Sequence, residues 1–308
     1  MSKEGISEEE YLKRHLEGLG SGEPQPKQNT PQPQAQVKST QDLQYFNMDV
    51  KELPLGEFYP QGCVLLVRAA TVKEIQAFSM VDENNFYDVV EKMNDMLASC
   101  VRIKYSDGTL GSYLDLKDGD RIYLIFMIRE LTFQQGNNLS AKLKCSCGKD
   151  MEVPITRRHF VFHETDEKIK SKYDPIGKVF RLNLKNGESF ELCPPTIGLQ
   201  KSFTEYIIKE NAEKRTPNMS FLKIVPFLLT HRNSITLDGI KKKLVEYESM
   251  KDMSFQVLNS AINKMNFGIK QVGVICECGQ EVHTDNFFPD GIAALFVVHD
   301  ALDQYLEE

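Results

Sequence analysis

The sequence predicts an α+β fold made of two similar helix-rich lobes from an internal duplication, each with short strands and a closing C-x-C-G hairpin. Three observations lead there. Cys145-Ser146-Cys147-Gly148 returns 131 positions later as Cys276-Glu277-Cys278-Gly279, and each copy is flanked by short β-prone runs. Apolar residues recur at helical spacing in both halves, most clearly in Phe86, Val89, Val90, Met93, Met96, Leu97 and Cys100. Other landmarks repeat in the same order. A strand leads to a helix capped by Thr71 or Thr196, and Asp118 or Asp252 opens an apolar helix that ends at Phe133 or Phe267. The offsets are 125, 134 and 134 residues, close to the 131 of the cysteine turns. Small insertions about one value are what a tandem duplication leaves.

Composition sets bounds on function. A chain of 308 residues is long enough for two cores. It is 41% hydrophobic and 26% charged, with a mean hydropathy of -0.37. No apolar run approaches the roughly 18 residues of a membrane span. The first residues are acidic and polar, unlike a signal peptide, so a cytoplasmic start is expected. There, seven cysteines suit reduced thiols and a metal better than disulfides. The net charge of -7 argues against a nucleic-acid partner, which needs a concentrated basic surface.

Taken in order, residues 1–41 read as a disordered arm. Ser7-Glu8-Glu9-Glu10 resembles a capping box for a short helix at 7–18, and the Pro- and Gln-rich stretch behind it cannot bury enough surface to order itself. A first lobe spans 46–156. It holds the turn-rich Leu53-Pro54-Leu55-Gly56-Glu57-Phe58-Tyr59-Pro60-Gln61-Gly62, a strand at Val64 to Arg68 and a helix from Thr71 with Glu74 completing its box. The Phe86 to Cys100 stripe, a turn at Asp107-Gly108 and a buried helix from about Gly119 to Phe133, capped by Asp118, follow. A connector is expected over 157–177, and a second lobe over 178–308. Asn186-Gly187 between alternating runs predicts a type I′ hairpin. Four helices follow: from Thr196 to about Lys214, Met219 to Thr230 with Pro226 inside, Leu237 to Ser249, and Met253 to Asn266. A last helix is expected from Asp290.

The paired turns carry the only recognisable chemistry. Strand, C-x-C-G, strand is the layout of a zinc knuckle, in which Gly supplies the positive φ that folds both sulfurs toward one ion. Two knuckles supply Cys145, Cys147, Cys276 and Cys278, the full tetrahedral shell of one structural zinc per chain. The usual spacing is C-x-x-C. A rival arrangement has two sites completed by His159 and His163, and by His283; the plain reading is four reduced cysteines in hairpin turns. No G-x-S-x-G, H-E-x-x-H, P-loop or post-strand G-x-G-x-x-G occurs, so no enzyme is expected. Lys241-Lys242-Lys243 reads as a solvated helix face.

The order of these features carries a resemblance: the Leu53 to Gly62 segment, the strand ending at Arg68, the Thr71 helix, Asp118-x-Asp120 opening an apolar helix, and a closing cysteine knuckle. It resembles the baseplate hub and hub-assembly proteins of T-even-like contractile-tailed bacteriophages over roughly 50–290. Leu55 stands where members often carry Ser, and the C-x-C spacing and the N-terminal arm depart from the pattern. The resemblance implies a structural or assembly protein of the virion tail baseplate, hub or wedge, assembled in the host cytoplasm. Its partners would be other baseplate or tail proteins, met in part through residues 1–41, with no membrane and no nucleic acid. The alternative from another class is a zinc-knuckle nucleic-acid-binding or regulatory protein.

Overall fold

The structure, a computed structural model, describes residues 44–133, 139–230 and 232–297. The expected arm at 1–41, with its helix at 7–18, lies outside these residues. The fold mixes helices with small antiparallel sheets, an α+β arrangement. No helix among the described residues is long and apolar enough to cross a membrane.

The first half begins with β1 (Phe46–Asp49) and β2 (Val64–Val67), then α1 (Val72–Ser79) and α2 (Phe86–Cys100). Thr71 starts α1 with a reciprocal cap: its hydroxyl accepts from the Glu74 N–H, and the Glu74 carboxylate accepts from the Thr71 N–H. Asn85 caps α2, whose expected stripe buries Met93, Met96, Leu97 and Cys100. Next are β3 (Val101–Lys104) and β4 (Leu110–Gly111), which complete the sheet β1-β2-β3-β4. α3 (Arg121–Thr132) follows, buried continuously from Leu124 to Arg129. Asp118 does not cap it. A 3-10 turn over Asp118–Asp120 comes first, and Asp118 is drawn to Arg121 instead. The half closes on the hairpin β5 (Ser140–Lys144) and β6 (Asp150–Pro154).

The stretch expected as a connector holds β7 (Phe160–Phe162), the single-turn α4 (Glu167–Lys170) and β8 (Tyr173–Asp174). The second half continues with β9 (Val179–Asn183) and β10 (Ser189–Leu192), which form the sheet β10-β9-β8. α5 (Ile197–Ala212) is capped by Thr196, which adopts nearly the backbone angles of Thr71. α6 (Met219–Leu228) contains Pro226, and α7 (Leu237–Glu248) and α8 (Asp252–Met265) complete the helices. β11 (Ile269–Ile275) and β12 (Glu281–Thr284) pair, and β7 crosses over to extend them into the sheet β12-β11-β7.

Two further local expectations need correction. The Asn186-Gly187 loop is not type I′, because Asn186 keeps a negative φ and only Gly187 is left-handed, at 89°. Gly187 N–H bonds to Leu184 C=O and Leu184 N–H to Glu188 C=O, a type I turn closed by a glycine bulge. The helix expected from Asp290 is not formed up to Val297. Gly291 takes φ 85°, a 3-10 turn occupies Ala293–Phe296, and Val297 is extended. The apolar Ile292, Leu295 and Phe296 that resemble a helical stripe instead plug the first-half core, with Phe296 edge-on to Phe78 at 5.1 Å. Residues beyond Val297 lie outside the described set.

That core takes most of its members from residues 48–155 and adds Phe160, Ile197, Val272 and the Ile292 to Phe296 plug. A second core, under β8-β9-β10 and α8, takes Leu55 and Phe58 from the first half. Phe58 packs against Tyr173, Phe180 and Phe267 with ring centroids 5.4 to 5.7 Å away. A third core joins α5, α6 and α7.

The segment bearing Leu55 and Phe58 is held by Asp120, which has no exposed surface. One carboxylate oxygen accepts from the Leu55 N–H at 2.9 Å and the other from the Tyr59 hydroxyl at 2.7 Å. That hydroxyl in turn accepts from the Lys117 N–H at 2.8 Å. Beside it the halves are joined by backbone: Asp118 N–H to Pro195 C=O at 3.0 Å and Ile197 N–H to Leu116 C=O at 2.8 Å.

Two outcomes test this junction. Burial pushes the Asp120 carboxyl up to about 7, against the pull of Tyr59, the Leu55 N–H and the Lys117 charge and helped by Asp118. Its folded value lies above its unfolded one, so its stabilising contribution is full at low pH and lost as pH rises through neutrality. Between about pH 5 and about pH 8 this group should cost the wild type about 2–3 kcal/mol, a slope absent from Asp120→Asn in denaturant titrations across pH. Gly198, in the first turn of α5, has no room for a side chain: a Cβ would lie 2.4 Å from Asn233 C=O and 3.0 Å from Leu114 Cβ. Gly198→Ala should therefore destabilise by about 1–3 kcal/mol, although alanine favours a helix.

Candidate metal centre

The β5–β6 and β11–β12 hairpins turn in the same way. Cys145 N–H bonds to Lys149 C=O and Gly148 N–H to Cys145 C=O; Cys276 N–H bonds to Gln280 C=O and Gly279 N–H to Cys276 C=O. All four distances are 2.8 or 2.9 Å. Gly148 and Gly279 take φ 91° and 83° with open space around them, so backbone conformation rather than crowding demands glycine there. These are again type I turns with a glycine bulge. In such a turn the first and third positions are one residue apart, and those are the positions the cysteines occupy.

The two turns face each other. The ligand atoms of Cys145, Cys147, Cys276 and Cys278 all lie within 4.8 Å of one another, close enough to hold a metal ion. Across the turns, Cys145 Sγ is 3.7 Å from Cys278 Sγ, and Cys147 Sγ is 3.9 Å from Cys276 Sγ. Cys145 and Cys276 are buried over a small apolar base of Leu143, Met151 and Val282, while Cys147 and Cys278 are exposed. The flanking contacts are reciprocal too. Ser146, second in its turn, donates to the Gln280 side chain, fifth in the other; Glu277, second in the other, pairs with Lys149 at 2.7 Å. First meets third and second meets fifth in both directions, a local twofold pattern.

Electrostatics at the site point the same way. The Cys147 N–H directed at Cys145 draws that thiol down to about 7, with further hydrogen bonds from the other sulfurs. The Gln280 N–H favours the Cys278 thiolate, but the three neighbouring sulfurs outweigh it and push that thiol up to about 12. Like charges in contact do not ionise together unless a cation lies among them. The histidines considered as rival ligands are not part of the cluster. His159 Nδ1 shares a hydrogen bond with Thr156 at 2.8 Å, and His283 Nε2 lies 3.9 Å from Glu281. His163 is tied by its backbone N–H to Gly268 C=O at 3.0 Å, and its ring is not among the clustered ligand atoms.

A cleft of about 1270 Å³ lies beside the Leu53 to Gly62 segment, and sequence reasoning gave no sign of it. Two of its lysines are occupied: Lys117 donates to Pro194 C=O at 3.0 Å and to Cys193 at 3.3 Å, and Lys178 to Glu57 C=O at 2.9 Å. Burial pushes the Cys193 thiol up, the opposite of an activated nucleophile. The four-sulfur cluster is thus the site with chemistry to interpret. No family model, curated protein or solved structure matches the chain.

Proposed function

We propose that this is a structural or assembly protein of a contractile-tail baseplate, in which one structural zinc held by Cys145, Cys147, Cys276 and Cys278 clamps the two halves of the chain. The observation that supports the zinc is the sulfur spacing. Zinc–sulfur bonds of about 2.3 Å in a tetrahedron give sulfur–sulfur edges of about 3.8 Å, and the two edges across the turns are 3.7 and 3.9 Å. Four thiolates close the shell, so the ion has no position for a reacting water and its role is to hold.

The duplication has matching support: the Thr71 and Thr196 caps share their geometry, the turns share their bonds, and the contacts between turns are reciprocal. The baseplate reading rests on the order of the sequence motifs. An assembly role also suits the apolar side chains that stay in solvent around the α1–α2 loop, Met80 and Phe86.

Metal analysis of purified protein should give one zinc per chain; two would reject the shared shell, and none would reject the metal. Cys147→Ser and Cys278→Ser should weaken zinc binding to the same extent, and by more than the ~10–100-fold that loss of an outer partner costs. Capture from the native source should recover tail proteins. Salt-sensitive binding to DNA or RNA in their place would favour the nucleic-acid alternative.

A further inference from the structure

The same cluster has a second way to join the halves. Resting on the metal reading above, we infer that peroxide converts the four-thiolate site into two disulfides that cross between the turns, Cys145–Cys278 and Cys147–Cys276, with release of the ion.

Access and distance select these pairs. Cys147 and Cys278 are exposed, and each faces a buried sulfur of the opposite turn, Cys276 at 3.9 Å and Cys145 at 3.7 Å. An exposed thiolate is the one a peroxide reaches, and the buried sulfur behind it is placed to resolve the product. The exposed thiolate attacks one peroxide oxygen, the O–O bond breaks, and one hydroxide leaves as the sulfenic acid forms. The facing thiolate then attacks the sulfenic sulfur, the S–S bond forms, and a second hydroxide leaves. Each disulfide therefore consumes one hydrogen peroxide, oxidises two thiolates and releases two hydroxides. With all four sulfurs consumed, the cation leaves without ligands.

Linkage within a turn is disfavoured. Cysteines one residue apart close a small ring that must meet the S–S dihedral preference. The turn backbone is already fixed by its two hydrogen bonds and its left-handed glycine. The crossing pairs need only approach from 3.7 and 3.9 Å to about 2.05 Å. Their side chains already point at one another.

The test uses the full-length, metal-loaded protein exposed to hydrogen peroxide, followed by non-reducing peptide mapping and measurement of released metal. The expected result is both crossing disulfides, with metal release in step with their formation. Cys147→Ser should then give Cys145–Cys278 alone, and any loss of fold in that variant leaves the wild-type map decisive. Cys145–Cys147 and Cys276–Cys278 links, or sulfinic and sulfonic acids without crossing links, would overturn the inference while leaving the zinc reading intact. Crossing disulfides in a protein whose reduced form takes up no zinc would sustain the pairing and reject the zinc.

Discussion

Leu55 and Phe58 belong to a core otherwise built from residues 169–267, while Ile292, Leu295 and Phe296 belong to one built mainly from residues 48–155. Each half thus leaves a gap that a segment of the other fills. Separated, each would expose the socket and lose the plug, forfeiting about 1.5–3 kcal/mol for each large apolar side chain returned to water. The exchange fixes where the chain must run. It brings Asp120 under the Leu53 to Gly62 segment and ties Leu116 to Ile197 by backbone. Between the gaps it leaves the β5–β6 and β11–β12 turns face to face. Apolar exchange and backbone bonds thus join the halves apart from the sulfur cluster, and an ion there would add to those ties.

One turn recurs through the molecule. Tyr105 to Thr109, Cys145 to Lys149, Leu184 to Glu188 and Cys276 to Gln280 all show the same pair of backbone bonds and a left-handed glycine in fourth place. Position one faces into the hairpin and position three sits on its rim. The C-x-C spacing, unusual for a knuckle, follows from placing cysteines at those positions of this ordinary turn. What distinguishes the two metal-type turns is the residue type at two places, and nothing in the backbone.

Most helices were readable because their signals are local. Thr71 and Thr196 accept the backbone N–H bonds that start α1 and α5, and the apolar stripe of α2 reports its buried face directly. The grouping of the four cysteines was readable because C-x-C-G occurs twice with strands around it. The rest depended on distance along the chain. β7 is three residues long and pairs with β11 more than a hundred positions later, so no period marks it. Asp118 and Asp120 look equally suited to start α3, and only burial separates the one drawn to Arg121 from the one beneath Tyr59. Ile292, Leu295 and Phe296 have helical spacing, yet the cavity they fill, beside Phe78 and Arg129, sets their conformation. The cleft beside Leu53 to Gly62 is bounded by segments from both halves, and no single stretch of sequence carries its outline.

The contacts around the sulfurs match in place and differ in kind: Ser146 with Gln280 on one side, Lys149 with Glu277 on the other. In an assembly of two identical chains each contact would appear twice, and any replacement would have to suit both copies at once. Within a single chain the two sides vary independently. One is an ion pair that weakens with salt and the other a neutral contact that does not. The cluster therefore has two dissimilar walls around matching ligands, and a salt-dependent loosening of the site would begin on the Lys149 side.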